Sequence, residues 1–305
     1  MSATRQELAD SELQAIASRA RHLVLSTVAR TKVGHIGGPL SAMDLLVALY
    51  FDVLDIDPGD PRSPTRDRFI LSKGHNAIAL YVVLALRGYF DIDELATFDQ
   101  GDSRLQGHPD MLKLPGLDAS TGSLGQGLGV GAGIAEGLRR QGLGPTTFVM
   151  LGDGEHQEGM VWESVLWVAR SRLDNIVAIL DRNGLQQFGW PLPGEPGSRF
   201  DRMDPWHGVD IAAIYRGFGW DVVDIDGHDI AAIRSVLREA KGRVGRAGRP
   251  LLVIATTAKG RGTSFTEGTY AWHNGVPTAE QLTLAARELG LTADDGREAS
   301  DGRTA

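Results

Sequence analysis

The feature that most constrains the fold is an alternation of short apolar runs with segments of helical periodicity in the second half of the chain. The apolar runs cover 147–151, 176–180, 220–225 and 251–256, and the helical segments cover 156–171, 210–217 and 228–241. Strands that alternate with helices build βαβ units, whose strands run parallel and whose helices cover the faces of the sheet. We therefore predict an α/β fold with a doubly wound, mostly parallel sheet flanked by helices.

The first half of the chain is predicted to be mainly helical. Apolar spacing predicts a helix over 8–30, and Ser41 with Asp44 resembles a capping box before a second helix. Further elements are expected at 69–71 (strand), at 75–87 (helix) and up to about Arg140 (helix). We expect one domain over 1–290.

Two segments lack regular periodicity. Residues 189–209 are rich in proline and predict a long loop of the kind that is often functional. Residues 291–305 are polar and rich in Gly and Asp, which predicts a flexible tail.

Composition and charge exclude several functional classes. The chain has 305 residues and a net charge of −8, which disfavours nucleic acid as the main partner. It has no cysteine, which excludes disulfides, thiolate catalysis and Cys-zinc sites. No apolar stretch of about 18 residues and no signal-peptide pattern is visible, so we expect a cytoplasmic protein that does not enter a membrane.

Polar motifs follow two neighbouring apolar runs. Gly152–His156 begins where one run ends, and Asp181–Asn183 begins where the next one ends. Ligands of such sheets bind beyond the carboxyl ends of the strands, so Asp153 and Asn183 can point two oxygen atoms at one hard cation. The glycines allow backbone N–H groups to approach a phosphate, and the helix that follows offers its positive end. The pattern predicts a site for Mg²⁺ and a diphosphate.

We single out four of the eight histidines, each with a glycine nearby. They are His35, His75 and His108, each directly after a glycine, and His273, which is followed by Asn274 and Gly275. Glycine leaves an imidazole accessible on a tight turn, and imidazole can donate to phosphate or hydroxyl oxygens and transfer protons near neutral pH. One such histidine alone is better explained by turn capping or by burial in the core, but four beside a diphosphate motif favour a ligand site. We interpret His22, His156, His207 and His228 as structural.

Two further features allow two interpretations each. The segment Gly122–Gly127 precedes a helix, and it either turns its amides toward a ligand or allows close helix packing. Glu158 either favours the helix dipole or takes part in a proton network near a cofactor. We interpret Asp181 as a support for Asn183.

A larger set of motifs runs along the chain in a consistent order. They are Gly34–Pro39 (GHIGGP), Leu71–His75 (LSKGH), Gly107–Pro109 (GHP), Thr121–Gly127 (TGSLGQG), Gly152–Glu155 (GDGE), Gln157–Gly159 (QEG), Trp162–Glu163 (WE), Asp181–Asn183 (DRN), Ala258–Gly262 (AKGRG) and Trp272–His273 (WH). Over about residues 10–285 this set resembles the amino-terminal half of transketolase. The Asp153 and Asn183 element is shared by thiamine-diphosphate enzymes generally, whereas the histidine set is similar to that of transketolase.

The resemblance implies a thiamine-diphosphate-binding fold of the diphosphate type, with thiamine diphosphate and Mg²⁺ as cofactors. It implies that Asp153, Asn183 and the backbone carbonyl of Leu185 bind the metal, and that the cofactor is contacted by His75, Gly122, Leu124, Gly152, Gly154, Glu155, Asn183 and His273. It also implies catalytic roles for His35 and His108, which would line the substrate channel, and for His273, which would serve both cofactor and sugar. Glu158 would join a relay between two active sites. The implied activity is transfer of a two-carbon ketol unit from a ketose or ketose phosphate to an aldehyde.

The chain departs from the family in two respects. Gln187, Phe188 and Gly189 stand where the family commonly has an apolar residue, an aspartate and a glycine. A complete transketolase is also about twice as long and carries a pyrimidine-binding domain and a carboxy-terminal domain. The resemblance therefore implies one subunit of a split transketolase, with a pyrimidine-domain partner and a dimer of heterodimers as the assembly.

Two alternatives remain open at this point. One is another thiamine-diphosphate activity, such as acyl transfer or 2-oxo-acid decarboxylation, and another is a non-catalytic scaffold subunit. A nucleotide-binding Rossmann protein is disfavoured, because no Gly-x-Gly-x-x-Gly directly follows the first strand of a βαβ unit. The sequence leaves the donor and the acceptor unspecified.

Overall fold

Five parallel strands form the centre of the computed structural model, which describes residues 7–187, 206 and 208–291. The strands are β1 (Arg68–Leu71), β2 (Thr147–Gly152), β3 (Ile176–Arg182), β4 (Asp221–Asp226) and β5 (Leu251–Thr256), and their order across the sheet is β1-β2-β3-β5-β4. Every pairing is parallel, with Gly152 of β2 opposite Asp181 of β3. The predicted doubly wound α/β fold is confirmed, and the strands lie within one or two residues of their expected positions.

Nine helices surround the sheet in the described part of the chain. They are α1 (Asp10–Thr31), α2 (Gly37–Ser41), α3 (Met43–Ala48), α4 (Ala77–Leu86), α5 (Gly127–Arg140), α6 (Gly159–Arg170), α7 (Ile211–Phe218), α8 (Ile230–Lys241) and α9 (Ala279–Glu288). A π-helical turn covers Leu49–Val53, and 3₁₀ turns cover Gly74–Asn76, Ile92–Thr97, Gly154–Gln157 and Tyr270–His273. None of these helices is both long and apolar enough to cross a bilayer.

Each face of the sheet is buried under its own group of helices. On one face Phe148 and Met150 of β2 pack with residues of α1, α3, α4 and α8. On the other face Val149 and Leu151 pack with residues of α5, α6 and α7. Burial on both faces explains why these strands are continuous apolar runs instead of alternating ones.

Two local expectations were wrong. Ser41 does not cap a helix, because it is the last residue of α2 and its hydroxyl lies 2.6 Å from Oδ2 of the buried Asp181. The helix expected from residue 156 begins at Gly159, because Gly154–Gln157 forms a 3₁₀ turn first. Both departures lie at the carboxyl edge of the sheet, where side chains are held by contacts with distant segments.

Several expectations fall wholly or largely outside the described residues. These are the contacts of Phe188, the role of His207, most of the loop 189–209 and nearly all of the tail 291–305. The division into one domain over 1–290 and a tail stays a prediction.

Candidate active site

The loops after β2 and β3 meet at the carboxyl edge of the sheet. Oδ1 of Asp153 accepts a hydrogen bond from the Gly154 N–H at 2.8 Å, and Oδ2 accepts one from the Gly184 N–H at 2.7 Å. Oδ1 of Asn183 accepts a hydrogen bond from the Leu185 N–H at 3.1 Å. The two strand ends are thus brought together as the sequence predicts.

Asp153 is a buried carboxylate with only 3% of its surface exposed. Burial and the nearby Asp181 carboxylate raise its pKa to about 6. No Lys, Arg or His of the described segments forms an ion pair with it, and these segments contain no group of three His, Cys, Asp or Glu side chains placed to hold a metal. A buried carboxylate of this kind favours a bound cation. The other oxygen ligands of such a cation can be neutral, so one acidic side chain is sufficient.

Lys259 approaches the same region from the loop after β5. Its Nζ donates to the carbonyl oxygens of Leu185 at 3.1 Å and Gln186 at 3.3 Å, and it lies 3.0 Å from Nδ1 of His273. Burial lowers the pKa of Lys259 to about 8. The lysine passes Gly37 closely, where a Cβ would lie 2.9 Å from Cγ and Cε of Lys259. It is a buried cation beside the expected metal ligand Leu185.

Lys73, which follows β1, is held by Asp181 at the end of β3. Its Nζ forms a buried ion pair with Oδ2 of Asp181, and Ser41 and Thr257 donate hydrogen bonds to the same carboxylate. The expected partner Asn183 is more distant, with Nδ2 at 3.4 Å. Asp181 therefore supports Asn183 only weakly, and its main contact is with Lys73.

Three histidine rings form a triangle beside Lys259. The ring centroids of His35 and His75 are 5.1 Å apart, those of His35 and His273 are 5.1 Å apart, and those of His75 and His273 are 5.3 Å apart. The backbone fixes part of this arrangement, because the Ile36 N–H donates to the carbonyl of His273 at 3.2 Å.

Burial keeps these histidines neutral. It lowers the pKa of His75 well below its ordinary value and, together with Lys259, lowers that of His273 to about 3. Because the ammonium of Lys259 can only donate, Nδ1 of His273 accepts and the proton lies on Nε2. The triangle can therefore offer N–H donors to an anion without adding charge.

His108 lies with His35 on the wall of a cavity of about 640 Å³. Its carbonyl accepts a hydrogen bond from the Tyr81 hydroxyl at 3.2 Å. Its ring lies against Gly122, where a Cβ would be 3.1 Å from Cδ2 of His108. His35, His75, His108 and His273 thus lie around one crevice and its adjoining cavity.

Glu155 joins three segments of the site. Its carboxylate accepts hydrogen bonds from the Ser72 hydroxyl at 2.5 Å, from the Gly125 N–H at 2.9 Å and from the Gly152 N–H at 3.1 Å. Burial raises its pKa. Both of its oxygens are occupied within the protein, and so are the N–H groups of Gly152 and Gly154. These contacts position the glycine loop (Gly122–Gly127), and the implied cofactor contacts of Gly152, Gly154 and Glu155 stay predictions.

The glycine loop carries Leu124 and packs on the start of α6. Gly125 has a φ of +86°, and a Cβ there would lie 2.6 Å from Cβ of Glu158. Only glycine combines this backbone conformation with so close an approach. Glu158 itself is exposed and directly precedes α6.

Two histidines interpreted as structural have both ring nitrogens engaged by the protein. His156 lies 2.8 Å from the carbonyl of Gly152 and 2.8 Å from the hydroxyl of Tyr215. His228 lies 2.7 Å from Oδ2 of Asp44 and accepts from the Ala258 N–H at 2.8 Å. These contacts agree with that interpretation.

Sequence reasoning gave no individual role to Ser72, Lys73 or Lys259. The signal for the first two was present, because they directly follow β1 and so lie at the same edge of the sheet as Asp153. Lys259 could not be placed in this way, since it lies three residues beyond β5 in an irregular loop.

Comparison with known proteins agrees with this geometry. Residues 12–298 match the family model described as the transketolase, thiamine diphosphate binding domain. The chain belongs to the transketolase family. It is 40% identical to the 6-deoxy-6-sulfo-D-fructose transketolase subunit SqwG of Clostridium sp. (strain MSTE9), over 91% of this chain and 96% of that protein. It is 39% identical to an apulose-4-phosphate transketolase subunit of Phocaeicola vulgatus, over 91% of this chain and 93% of that protein.

Solved transketolase structures share the fold. A crystal structure of Pichia stipitis transketolase in complex with sedoheptulose-7-phosphate superposes with a TM-score of 0.81 at 30% identity. The match covers 92% of this chain and 41% of that transketolase. The chain thus spans about two fifths of a complete transketolase, while it matches nearly the full length of proteins named as transketolase subunits.

Proposed function

We propose that this chain is the diphosphate-binding subunit of a two-chain transketolase, which transfers a two-carbon ketol unit from a ketose or ketose phosphate to an aldehyde. The observation that carries the proposal is the crevice in which Asp153, buried and without an ion-pair partner among the described residues, lies near Lys73, Lys259 and neutral imidazoles. Such a crevice can hold a divalent cation together with an anion. We also propose that the protein is located in the cytoplasm.

Mg²⁺ fits the oxygen donors at the ends of β2 and β3. Asp153 would supply the charged ligand, and Asn183 and the Leu185 carbonyl would supply neutral ones. Few protein ligands and an all-oxygen set are typical of Mg²⁺, which takes its other ligands from phosphate and water.

Thiamine diphosphate fits the donors around the metal ligands. The diphosphate would be held by His75, His273 and Lys259, while Gly122 and Leu124 would flank the ring system. When bound, this cofactor stabilises the negative charge that develops as a carbon–carbon bond beside a carbonyl breaks.

The histidines would accept and donate the protons that the reaction transfers. Cleavage of the donor requires a base for its hydroxyl proton, and addition to the acceptor aldehyde leaves an alkoxide that requires a proton. His35 and His108 line the cavity beside the crevice, and imidazole can accept the first proton and supply the second. His273 would contact both the diphosphate and the sugar.

A partner chain is part of the proposal. The part of a complete transketolase that this chain does not match would be supplied by a subunit that carries the pyrimidine-binding domain. Two such heterodimers would pair through α5 and α6, where Val130, Met160, Leu166 and Trp167 are each more than 40% exposed. Exposed apolar residues clustered on neighbouring helices are typical of interaction surfaces. Glu158 would lie at this interface and link the two sites.

The test measures cofactor binding and ketol transfer from fructose 6-phosphate to glycolaldehyde, with this chain alone and mixed with a pyrimidine-domain chain. Activity only in the mixture, lost on Asp153→Ala, is expected. His108→Asn should lower ketol transfer far more than thiamine-diphosphate binding. A mixture that binds the cofactor yet transfers no ketol unit would contradict the proposal.

A further inference from the structure

Asp99 occupies an unusual position on the wall of the cavity that contains His35 and His108. Its φ of +54° places it in the left-handed region, as one of three non-glycine residues with positive φ in the described part of the chain. Aspartate tolerates this conformation better than most residues, but glycine would adopt it without strain. A side chain is thus present at a position where glycine would be free of strain, which directs attention to the contacts of the Asp99 carboxylate.

One half of the Asp99 carboxylate holds the loop that carries His108. Oδ1 accepts a hydrogen bond from the Gly107 N–H at 3.0 Å, and the Asp99 N–H donates to the carbonyl of Leu105 at 2.8 Å. A Cβ at Gly107 would lie 3.1 Å from both carboxylate oxygens, so the approach depends on glycine. Asp99 thereby positions the residue before His108.

The Asp99 side chain also belongs to the cavity lining. Within the described residues Oδ2 of Asp99 has no hydrogen-bond partner, and the residue is exposed. A second acid, Asp110, lies on the same wall, with its Oδ1 accepting from the Leu112 N–H at 3.0 Å. The described lining contains two acids and two histidines but no Lys or Arg. This wall therefore presents acidic side chains without a lysine or arginine to balance them.

We propose that Asp99 determines acceptor specificity: its free carboxylate oxygen accepts a hydrogen bond from a substrate hydroxyl and disfavours an anionic group at the same place. This inference rests on the proposed ketol transfer. A carboxylate that has lost part of its hydration gains from a hydroxyl donor and is destabilised by a second negative charge. Aldehydes whose carbonyl neighbour is a hydroxymethyl group should therefore react better than those whose neighbour is a carboxylate.

Glycolaldehyde and glyoxylate form a matched pair for this test, because they differ mainly in the hydroxymethyl group or carboxylate beside the aldehyde. The complete two-chain enzyme, loaded with cofactors, would be assayed with fructose 6-phosphate as donor. The Asp99→Asn variant keeps an oxygen for the Gly107 N–H and tolerates the left-handed backbone, so it removes the charge alone. Asp93→Asn serves as control, since Asp93 is exposed and lies outside the cavity lining.

We expect Asp99→Asn to shift the ratio of kcat/KM for glyoxylate over glycolaldehyde upward by about three- to tenfold, the size of one charge interaction across partly hydrated space. The shift should shrink at high ionic strength, and Asp93→Asn should leave the ratio unchanged. If Asp99→Asn lowered kcat/KM equally for both acceptors, the contact with the loop would be the only remaining role of Asp99. That result would overturn the proposal. Absence of ketol transfer in the wild-type mixture would instead contradict the proposed function.

A measurement without substrate distinguishes failure of the Asp99 proposal from failure of the proposed ketol transfer. Because the Asp99 charge raises the pKa of His35 against the lowering by burial, Asp99→Asn should lower that pKa in an NMR titration of the isolated chain. An unchanged His35 titration would show that the Asp99 charge does not reach the cavity, and the specificity role would be refuted even without an active partner.

Discussion

The Gly184 N–H donates a 2.7 Å hydrogen bond to Oδ2 of Asp153, across the loops that follow two neighbouring strands. This contact orients the buried carboxylate and brings the segment from Asn183 to Leu185 toward it. Backbone hydrogen bonds at the two strand ends therefore arrange the expected metal ligands.

Replacement of Asp153 by Asn should abolish metal-dependent cofactor binding. The amide keeps the size of the side chain but removes the only acidic ligand of the proposed Mg²⁺ site. We expect the affinity for thiamine diphosphate with Mg²⁺ to fall by more than about 100-fold, since even indirect support of a metal is worth about 10- to 100-fold. Calorimetry measures this, and Trp206, whose Nε1 donates to the Asp153 carbonyl at 2.8 Å, offers a fluorescence signal. Asp224→Asn, at an exposed position of β4, should bind normally.

Replacement of Glu155 by Gln should destabilise the glycine loop. Glutamine would present an amide N–H₂ group to one of the three donors that now face the carboxylate, and this leaves a buried donor unpaired. We expect a loss of about 1–3 kcal/mol in the free energy of unfolding, with weaker cofactor binding as a consequence. Urea denaturation measures the first effect, and Glu163→Gln, on the exposed side of α6, is the control. Normal stability of Glu155→Gln would argue against the positioning role.

Acid sensitivity should depend on His156. Burial lowers its pKa to about 4 in the folded protein, while a histidine in an unfolded chain titrates near 6.5. Below about pH 6.5 the unfolded state binds the proton first, so the free energy of unfolding falls as the pH drops toward about 4. The contribution is at most about 3 kcal/mol.

The His156→Asn variant isolates this effect. Asparagine can keep the hydrogen bond to the Gly152 carbonyl but does not titrate, so part of the pH dependence should disappear. Denaturation curves recorded in steps of about one pH unit between roughly pH 7 and roughly pH 4.5 measure the difference. Parallel stability profiles for the two proteins over this range would contradict the assigned environment of His156.

A charge on the outer face of α6 should prevent pairing of heterodimers. Leu166 is 53% exposed and its neighbour Trp167 is 44% exposed. Leu166→Glu should leave the fold intact, because the side chain is already in solvent, but it should halve the mass of the assembly formed with the partner chain and cofactors. Sedimentation measures the mass. Val223→Glu, an exposed apolar position on the edge strand β4, should leave it unchanged.

The residues at the strand ends show what local sequence patterns predict and what they do not. Asp153 and Asn183 could be placed in advance, because each directly follows an apolar run and parallel strands end at one edge of a sheet. The same rule applies to Lys73, which follows β1, but it does not predict that Asp181 would be its partner. The capping-box pattern at Ser41 was misleading, since its hydroxyl is used by a residue 140 positions away.

Sequence patterns were sufficient to predict the parallel α/β architecture and the residues that could carry chemistry, because periodicity and glycine-rich turns act over a few positions along the chain. Which of these groups meet is visible only in the folded protein: Lys73 pairs with Asp181, Lys259 approaches Leu185 and His273, and Asp99 lines the cavity. These contacts depend on how distant loops converge once both faces of the sheet are buried, and no short-range pattern records that convergence.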